Sequence, residues 1–412
     1  MTNRLFSAYT LPNGGIIPNC IAKAAMEENL ANAKQQPDSA LFALYDAWAK
    51  GGVGLIITGN VMVDRYAMTG PGGVALEADS DLAPFTQWAS IAKQNNARVW
   101  MQLNHPGRQV FKAMGGKNLA PSAIALDLGK HSSMFTQPKA MNHDDITDVI
   151  ERFATTASMA QQAGFDGVQV HAAHGYLLAQ FLSPLTNKRT DEWGGTLENR
   201  AKLLLDVVKQ IRQRCGDTFD IAVKLNSADF QRGGFDVEDA EQVINLLAQY
   251  HVDVVELSGG SYEAPAMQGR SADERTLARE AYFLSLTSQL VAKSPIPLML
   301  TGGIRRKEIA EQVLDAGFVM CGIASALAFY PNLANLWQTQ PDFSPTLPRV
   351  DWQNKTLAGL ATMAIIKRQL RRMSQGATPQ TNDSALWSLV VDQFKTKQRT
   401  KRYRHQLGIT ND

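Results

Sequence analysis

A chain of 412 residues, 44% hydrophobic and 19% charged, is long enough for one large domain with an appendage and too apolar to stay disordered. A formal charge of +2 makes no electrostatic case for nucleic acid or an anionic membrane surface, so the expected partner is a small molecule. Three widely spaced cysteines, Cys20, Cys215 and Cys321, argue against an iron–sulfur domain and fit a reducing compartment. Residues 1–10 carry no leader pattern and no apolar run reaches the length of a membrane span, so the expected location is cytoplasmic, with no membrane.

Short runs rich in Val and Ile alternate along the chain with longer segments of helical periodicity. In chain order, strands are expected at 16–23, 53–60, 98–104, 167–171, 221–225, 252–257, 297–300 and 318–322. Helices follow at 40–50, 82–94, 144–163, 196–214, 237–250, 277–292, 306–316 and 332–338. Eight βα units with no Gly-rich turn after the first strand point to an α/β fold closed as a (β/α)8 TIM barrel, not an open sheet. Beyond residue 345 the alternation stops. Residues 346–412 read as a helical, basic C-terminal extension on a barrel spanning 1–345, and its basic runs fit solvated faces or the contact of a homodimer.

A barrel collects its reactive groups at the C-terminal ends of its strands. There the sequence places His171, His174 and Tyr176 on one loop. Two imidazole N–H groups suit a carbonyl, nitro or phenolate oxygen, and a protonated phenol suits proton delivery to a neighbouring carbon. Two satisfied core histidines, or a zinc site awaiting a third ligand, are the competing readings. Lys224, inside the run IAVKLN, needs an anionic partner if its head is buried, and a reduced flavin is one; a stem reaching solvent is the alternative. Gln102 suits a pyrimidine-type edge, and Gly302 with Gly303 offers backbone N–H groups to a phosphate.

These residues lie in segments that resemble the old yellow enzyme family of FMN ene reductases over residues 1–345. The strongest is GFDGVQVHAAHGYLLAQFLSPLTNKRTDEWGGTLENR at 164–200; QLNHPGR at 102–108, GGVGLIITG at 51–59, KLNSADFQRGGF at 224–235 and LTGGIR at 300–305 are similar pieces. The resemblance implies FMN at the barrel mouth, with Gln102 and Lys224 on its ring system, Ala24, Ala25, Met26, Thr58 and Gly59 lining it, and Gly302 and Gly303 near its phosphate. It also implies that NADH or NADPH is the reductant and that an activated C=C (an enone, nitroalkene or quinone-like substrate) is the acceptor. His171 and His174 would hold the activating oxygen and Tyr176 would donate the proton. No metal is implied.

Two positions depart from the family pattern. Ala324 and Ser325 stand where Gly-Arg usually grips the phosphate, so the grip is expected to be weaker or to come from Arg305 or Arg306. Glu27 stands where a hydroxyl or thiol usually tunes the flavin. These leave two alternatives, a metal-dependent barrel enzyme using the His pair and a barrel that has lost FMN and serves as a binding protein. The loops at 65–79 and 261–276, expected to select the substrate, carry no readable code.

Overall fold

The computed structural model describes residues 4–266, 281 and 283–409. Eight parallel strands form the barrel: β1 (Ile21–Lys23), β2 (Leu55–Met62), β3 (Arg98–Asn104), β4 (Gly167–Ala172), β5 (Asp220–Asn226), β6 (Val254–Ser258), β7 (Leu298–Thr301) and β8 (Met320–Ile323). Each pairs with its successor, and β8 returns to β1 through Cys321↔Ile21, so the sheet closes. Within these strands only Asn60 and Arg98 are less than fully buried. A wall covered on both faces needs apolar residues at both parities, which is why the strands read as continuous Val/Ile/Leu runs.

Between the strands lie α1 (Ser39–Lys50), α2 (Ala83–Ala92), α3 (His143–Gln162), α4 (Leu197–Cys215), α5 (Val237–Ala248), α6 (Leu284–Val291) and α7 (Lys307–Asp315), with α8 (Leu333–Thr339) after β8. Their starts are chemically specified. Asp38 accepts from the Ala40 N–H, Asn142 and Asp145 form a capping box, and Thr196 and Asp236 cap α4 and α5. In α1 the buried face is Leu41, Leu44, Tyr45 and Trp48, the spacing of a single helical stripe.

The expected first strand at 16–23 is in fact two pieces. Ile16–Ile17 pairs antiparallel with Tyr9–Thr10, and the barrel strand begins only at Ile21. Pro18 cannot donate to a ladder, and Asn19 turns the chain by accepting from the Ile21 N–H and donating to the Gly52 carbonyl. In β2 a register shift between Ile57 and Asn60 adds a bulge and carries the strand past its expected end. Part of the helix expected at 277–292 lies outside the described residues; α6 occupies its C-terminal part.

Beyond the barrel, α9 (Lys355–Met373) and α10 (Ala385–Gln406) form the extension. The end of α10 is tied to loops after the early strands. Tyr403 packs with Met62, Met68, Ala75 and Met114 and donates to the Arg65 carbonyl, and an Arg404 N–H donates to the Ala113 carbonyl. No helix of the described residues is long and apolar enough to cross a membrane.

Two buried polar ties hold opposite ends of the barrel. At the strand starts, the fully buried Asp220 carboxylate accepts from Arg98, from the Trp100 indole N–H at 2.7 Å and from the Asn13 amide at 2.7 Å, fastening the N-terminal hairpin beneath the barrel. Asp220→Ala strands the half-buried Arg98 guanidinium and the buried Trp100 N–H and is expected to cost about 3 kcal/mol in denaturant unfolding. At the end of β3, His105 accepts the Gly107 N–H at Nδ1, while its carbonyl accepts the Leu177 N–H. Burial pushes the imidazole down to about 4, so the folded state holds it neutral while an unfolded chain protonates it near 6.5. Its contribution is complete above pH 6.5 and is lost as pH falls toward 4. In His105→Gln, the stability lost between those limits should be smaller by up to about 3 kcal/mol, measured by unfolding at each pH.

Candidate active site at the barrel mouth

The C-terminal ends of β4 and β5 bring the core of the site together. Lys224 on β5 is the register partner of His171 on β4, and Gln102 on β3 is the partner of Gln169 on β4. The rings of His171 and His174 lie 5.0 Å apart at 78°, and those of His171 and Tyr176 lie 4.9 Å apart at 86°, so the three stack edge-to-face as one cluster.

Local backbone sets each ring. His171 Nδ1 accepts the Ala173 N–H, which leaves the ring proton on Nε2. His174 occupies the left-handed region at φ 60°. A non-glycine residue is strained there, and the conformation is held because its N–H donates to Asn226 Oδ1 and its carbonyl accepts from Gln109 Nε2. Its Nε2 lies 2.8 Å from Ser258 Oγ. Burial and the Lys224 charge push both imidazoles well below the usual range, His171 further through His174, so they are neutral at physiological pH.

Tyr176 is buried and raised well above the ordinary phenol range, first by desolvation and then by Tyr262 and Glu27; a hydrogen bond from the Asn60 amide acts in the opposite direction. Its hydroxyl lies 3.2 Å from that of Tyr262, whose own phenol is raised by burial and by Glu27. Tyr262 comes from the loop after β6. That loop is drawn over the mouth by Glu263, which pairs with the buried Arg108 at 2.6 Å and accepts the Asp127 N–H at 2.8 Å. Residues 267–276 of the expected substrate loop lie outside the described residues.

Lys224 is buried, as expected, but a protein group meets it: Glu256 Oε1 on β6 is 2.7 Å away. The other oxygen of Glu256 accepts from Gln169, whose Oε1 accepts from Gln102. Four strands are thus crossed by one buried chain, Gln102–Gln169–Glu256–Lys224. The anion that a buried Lys224 was expected to need is supplied within the protein by Glu256, because an unpaired ammonium in this wall would be too costly.

A second buried pair went unread in the sequence. Lys23, fully buried, donates to the Ile57 carbonyl at 2.8 Å, sits 3.5 Å from Glu28 and lies 4.4 Å from the Trp48 ring centre. Burial lowers it to about 8. Glu28 also accepts from the Tyr45 hydroxyl at 2.6 Å and from the Gly59 N–H. Gly59 has to be glycine, since a side-chain carbon there would lie 1.9 Å from Glu28 and 2.3 Å from the Met26 carbonyl. This knot fixes the segment Ala24, Ala25 and Met26 against the bulge in β2, with the Ala24 N–H donating to the Ile323 carbonyl. Glu27, the family departure, turns toward the β2 loop and accepts from Thr69.

The remaining expected residues sit together on the far rim. Thr301 Oγ1 donates to the Gly322 carbonyl, which sets the ends of β7 and β8 side by side. Gly302 (φ 128°) and the exposed Gly303 (φ 72°) follow β7, while Ala324 and the exposed Ser325 open a five-residue helix after β8. Arg306 pairs with Glu308 on its own helix. Among the described residues no group of three or more His, Cys, Asp or Glu is placed to hold a metal. The residues that sequence reasoning missed are Glu256, Lys23, Glu28 and Tyr262. A signal existed for the first two, a charge inside an apolar strand run; Tyr262 had none, because only the fold of its loop brings it to Tyr176.

Comparison with known proteins agrees with this architecture. Residues 5–340 match the NADH:flavin oxidoreductase / NADH oxidase family. The chain is 35% identical over 346 residues to the NADH-dependent flavin oxidoreductase iliE of Hypocrea jecorina, covering 79% of this chain and 86% of that protein. It is 33% identical to the NADH-dependent flavin oxidoreductase iccE of Talaromyces variabilis, covering 80% and 85%. The fold is shared with an old yellow enzyme homologue from Zymomonas mobilis, with a TM-score of 0.69 at 23% identity over 83% of this chain and 94% of that one. The chain therefore belongs to the NADH:flavin oxidoreductase / NADH oxidase family and is a nicotinamide-dependent flavin oxidoreductase of the old yellow enzyme type.

Proposed function

We propose that this enzyme reduces an activated C=C, of the enone, nitroalkene or quinone-like class, at the expense of NADH or NADPH. The observation that carries the reading is the packing of two neutral imidazoles and one protonated phenol, ring against ring, beside the buried Gln102–Lys224 chain.

The residues present fit FMN. Gln102 offers an amide and Lys224 keeps N–H donors beyond the one given to Glu256. Asn60 Oδ1 is buried at the mouth without a partner, and the backbone at Gly302 and Gly303 offers N–H groups to a phosphate. Ala24, Ala25, Met26 and Gly59 would line the ring system, with Ala324 and Ser325 beside the phosphate. Bound FMN supplies a carrier for hydride between nicotinamide and substrate. Because Glu256 neutralises Lys224, the protein favours reduction by local hydrogen bonding more than by net charge.

The protein's own part is to polarise the acceptor and move one proton. His171 donates through Nε2–H, and His174 adds a second contact to the activating oxygen, drawing electron density from the double bond. A neutral imidazole is suited to this: it donates a hydrogen bond without bringing a second buried cation beside Lys224. Tyr176, held protonated by its surroundings, gives its hydroxyl proton to the carbon next to the activating group as the other carbon receives hydride. The Tyr262 hydroxyl at 3.2 Å is placed to restore that proton. The loop carrying Tyr262 and Glu263 excludes water from the same space.

We also propose that two copies associate through the extension. Among the described residues, seven of the eleven exposed large hydrophobic side chains lie on α9 and α10, among them Leu386, Trp387, Val390 and Phe394 at helical spacing. They expose on the order of 700 Å² per copy, the scale of one side of a standard interface.

The purified protein should carry an absorption band of bound flavin and release FMN on heating. In stopped flow, Tyr176→Phe should slow oxidation by substrate by roughly 100-fold while leaving reduction by NADH within about twofold; Tyr262→Phe should show a smaller loss in the same half-reaction. Equal loss in both half-reactions would remove Tyr176 from the donor role. Light scattering should give twice the 45.1 kDa chain mass for the native protein and a single chain for Trp387→Asp/Phe394→Asp; a monomeric native protein would end the dimer proposal.

A further inference from the structure

Where the end of α10 meets the barrel there is a shallow cleft, open to solvent and lined among others by Asn32, Gln35, Gly72, Arg399, Arg402 and Gln406. Among the described residues no carboxylate lines it. Arg399 is half-buried, yet makes no hydrogen bond or ion pair with any described residue. Arg402 places a single N–H on the Ala31 carbonyl at 3.2 Å. Behind them, Arg371 pairs with Asp392 at 2.9 Å, but its Nη2 is buried without a partner. Burial draws the Arg399 guanidinium downward, Arg371 and Arg402 add to this, and Asp392 opposes it.

Such a cluster is not accounted for by the helix end. Cations favour a helix C-terminus, but that effect fades within the last turn, and Arg399 lies about two turns before Gln406. Nor is it a loosely solvated basic face. Gly72 (φ 87°) brings the loop after β2 so close that a side-chain carbon at that position would lie 3.1 Å from Arg399 Cδ and 2.8 Å from the Asn29 carbonyl. One neutral side chain of the cleft has a donor to spare. Asn32 uses its Oδ1 on the N–H groups of Lys34 and Gln36, which leaves its Nδ2 to spare. Planar guanidinium forks of this kind match the oxygens of a phosphate, and a phosphate would satisfy donors that the protein itself leaves idle.

We propose that this cleft is a phosphate-binding site, taking a phosphomonoester or pyrophosphate group between Arg399 and Arg402. The group could belong to the nicotinamide reductant or to a free phosphate compound. Gly72 also lines a neighbouring cavity with Glu27, Gly59 and Asn60, which puts the cleft beside the catalytic mouth.

The test uses the full chain, with inorganic phosphate and pyrophosphate as probes against chloride at matched ionic strength. Pyrophosphate should raise Tm and give a saturable heat in calorimetry, and Arg399→Gln should weaken that binding at least about tenfold while folding as well as the native protein in chloride. Because Arg399 has no hydrogen-bond partner to lose among the described residues, an unfolded variant is not expected; Arg402→Gln gives an independent second variant. If pyrophosphate competes with NADH and Arg399→Gln raises its KM at unchanged kcat, the phosphate comes from the reductant. If binding persists with no effect on KM, it comes from a free compound. Either supports the site. Equal Tm and no heat in pyrophosphate and chloride, or a response unchanged in both variants, would overturn it. The thermal and calorimetric readouts do not depend on the redox reading, so the two stand or fall separately.

Discussion

Two ammonium groups are sealed into the wall of this barrel, and each is met by a carboxylate: Lys224 by Glu256 and Lys23 by Glu28. The pairing is a requirement of burial, because a lone charge in such a place would shed its proton or unfold the wall. Much of the mouth's geometry follows from it. The first pair continues through Gln169 to Gln102 and links four strands. The second clamps Tyr45 and Gly59 and so fixes the bulge of β2, which turns Asn60 toward Tyr176.

A neutral but strongly dipolar floor of this sort also explains the state of the groups above it. With Lys224 close by, a protonated His171 or His174 would be a second buried cation, and both rings are driven toward the uncharged, hydrogen-bond-donating form. With Glu27 close by, Tyr176 and Tyr262 are driven toward the protonated form. Burial is the larger cause for all four groups; the Lys224 charge beside the imidazoles and the Glu27 charge beside the phenols add to it, keeping each kind of group in the state its proposed task needs. The strained backbone of His174 is the local cost of this arrangement and is offset by the Asn226 and Gln109 hydrogen bonds.

The extension is built on a different principle. Its contact with the barrel is partly apolar, through Tyr403, but it leaves a row of large hydrophobic side chains outward and a set of guanidinium groups short of partners. Neither is what an isolated chain would choose on the ground of its own stability. Both are the surfaces on which the two proposed partners would rest, apolar in one case and anionic in the other.

The closed barrel was legible in the chain because a parallel strand buried on both faces and an amphipathic helix leave distinct periods, and eight repetitions leave little else to build. His171, His174 and Tyr176 were legible as well, since a single loop carries them and a strand end aims them. Boundaries were less so: nothing in the 16–23 run announces that Pro18 and Asn19 divide it. The pairing of Lys224 with Glu256, of Lys23 with Glu28 and of Tyr176 with Tyr262 was decided by the tertiary structure alone. Their partners are 32, 5 and 86 positions apart. Sequence shows that a buried charge or phenol needs a partner, while strand register and loop closure choose which one it receives.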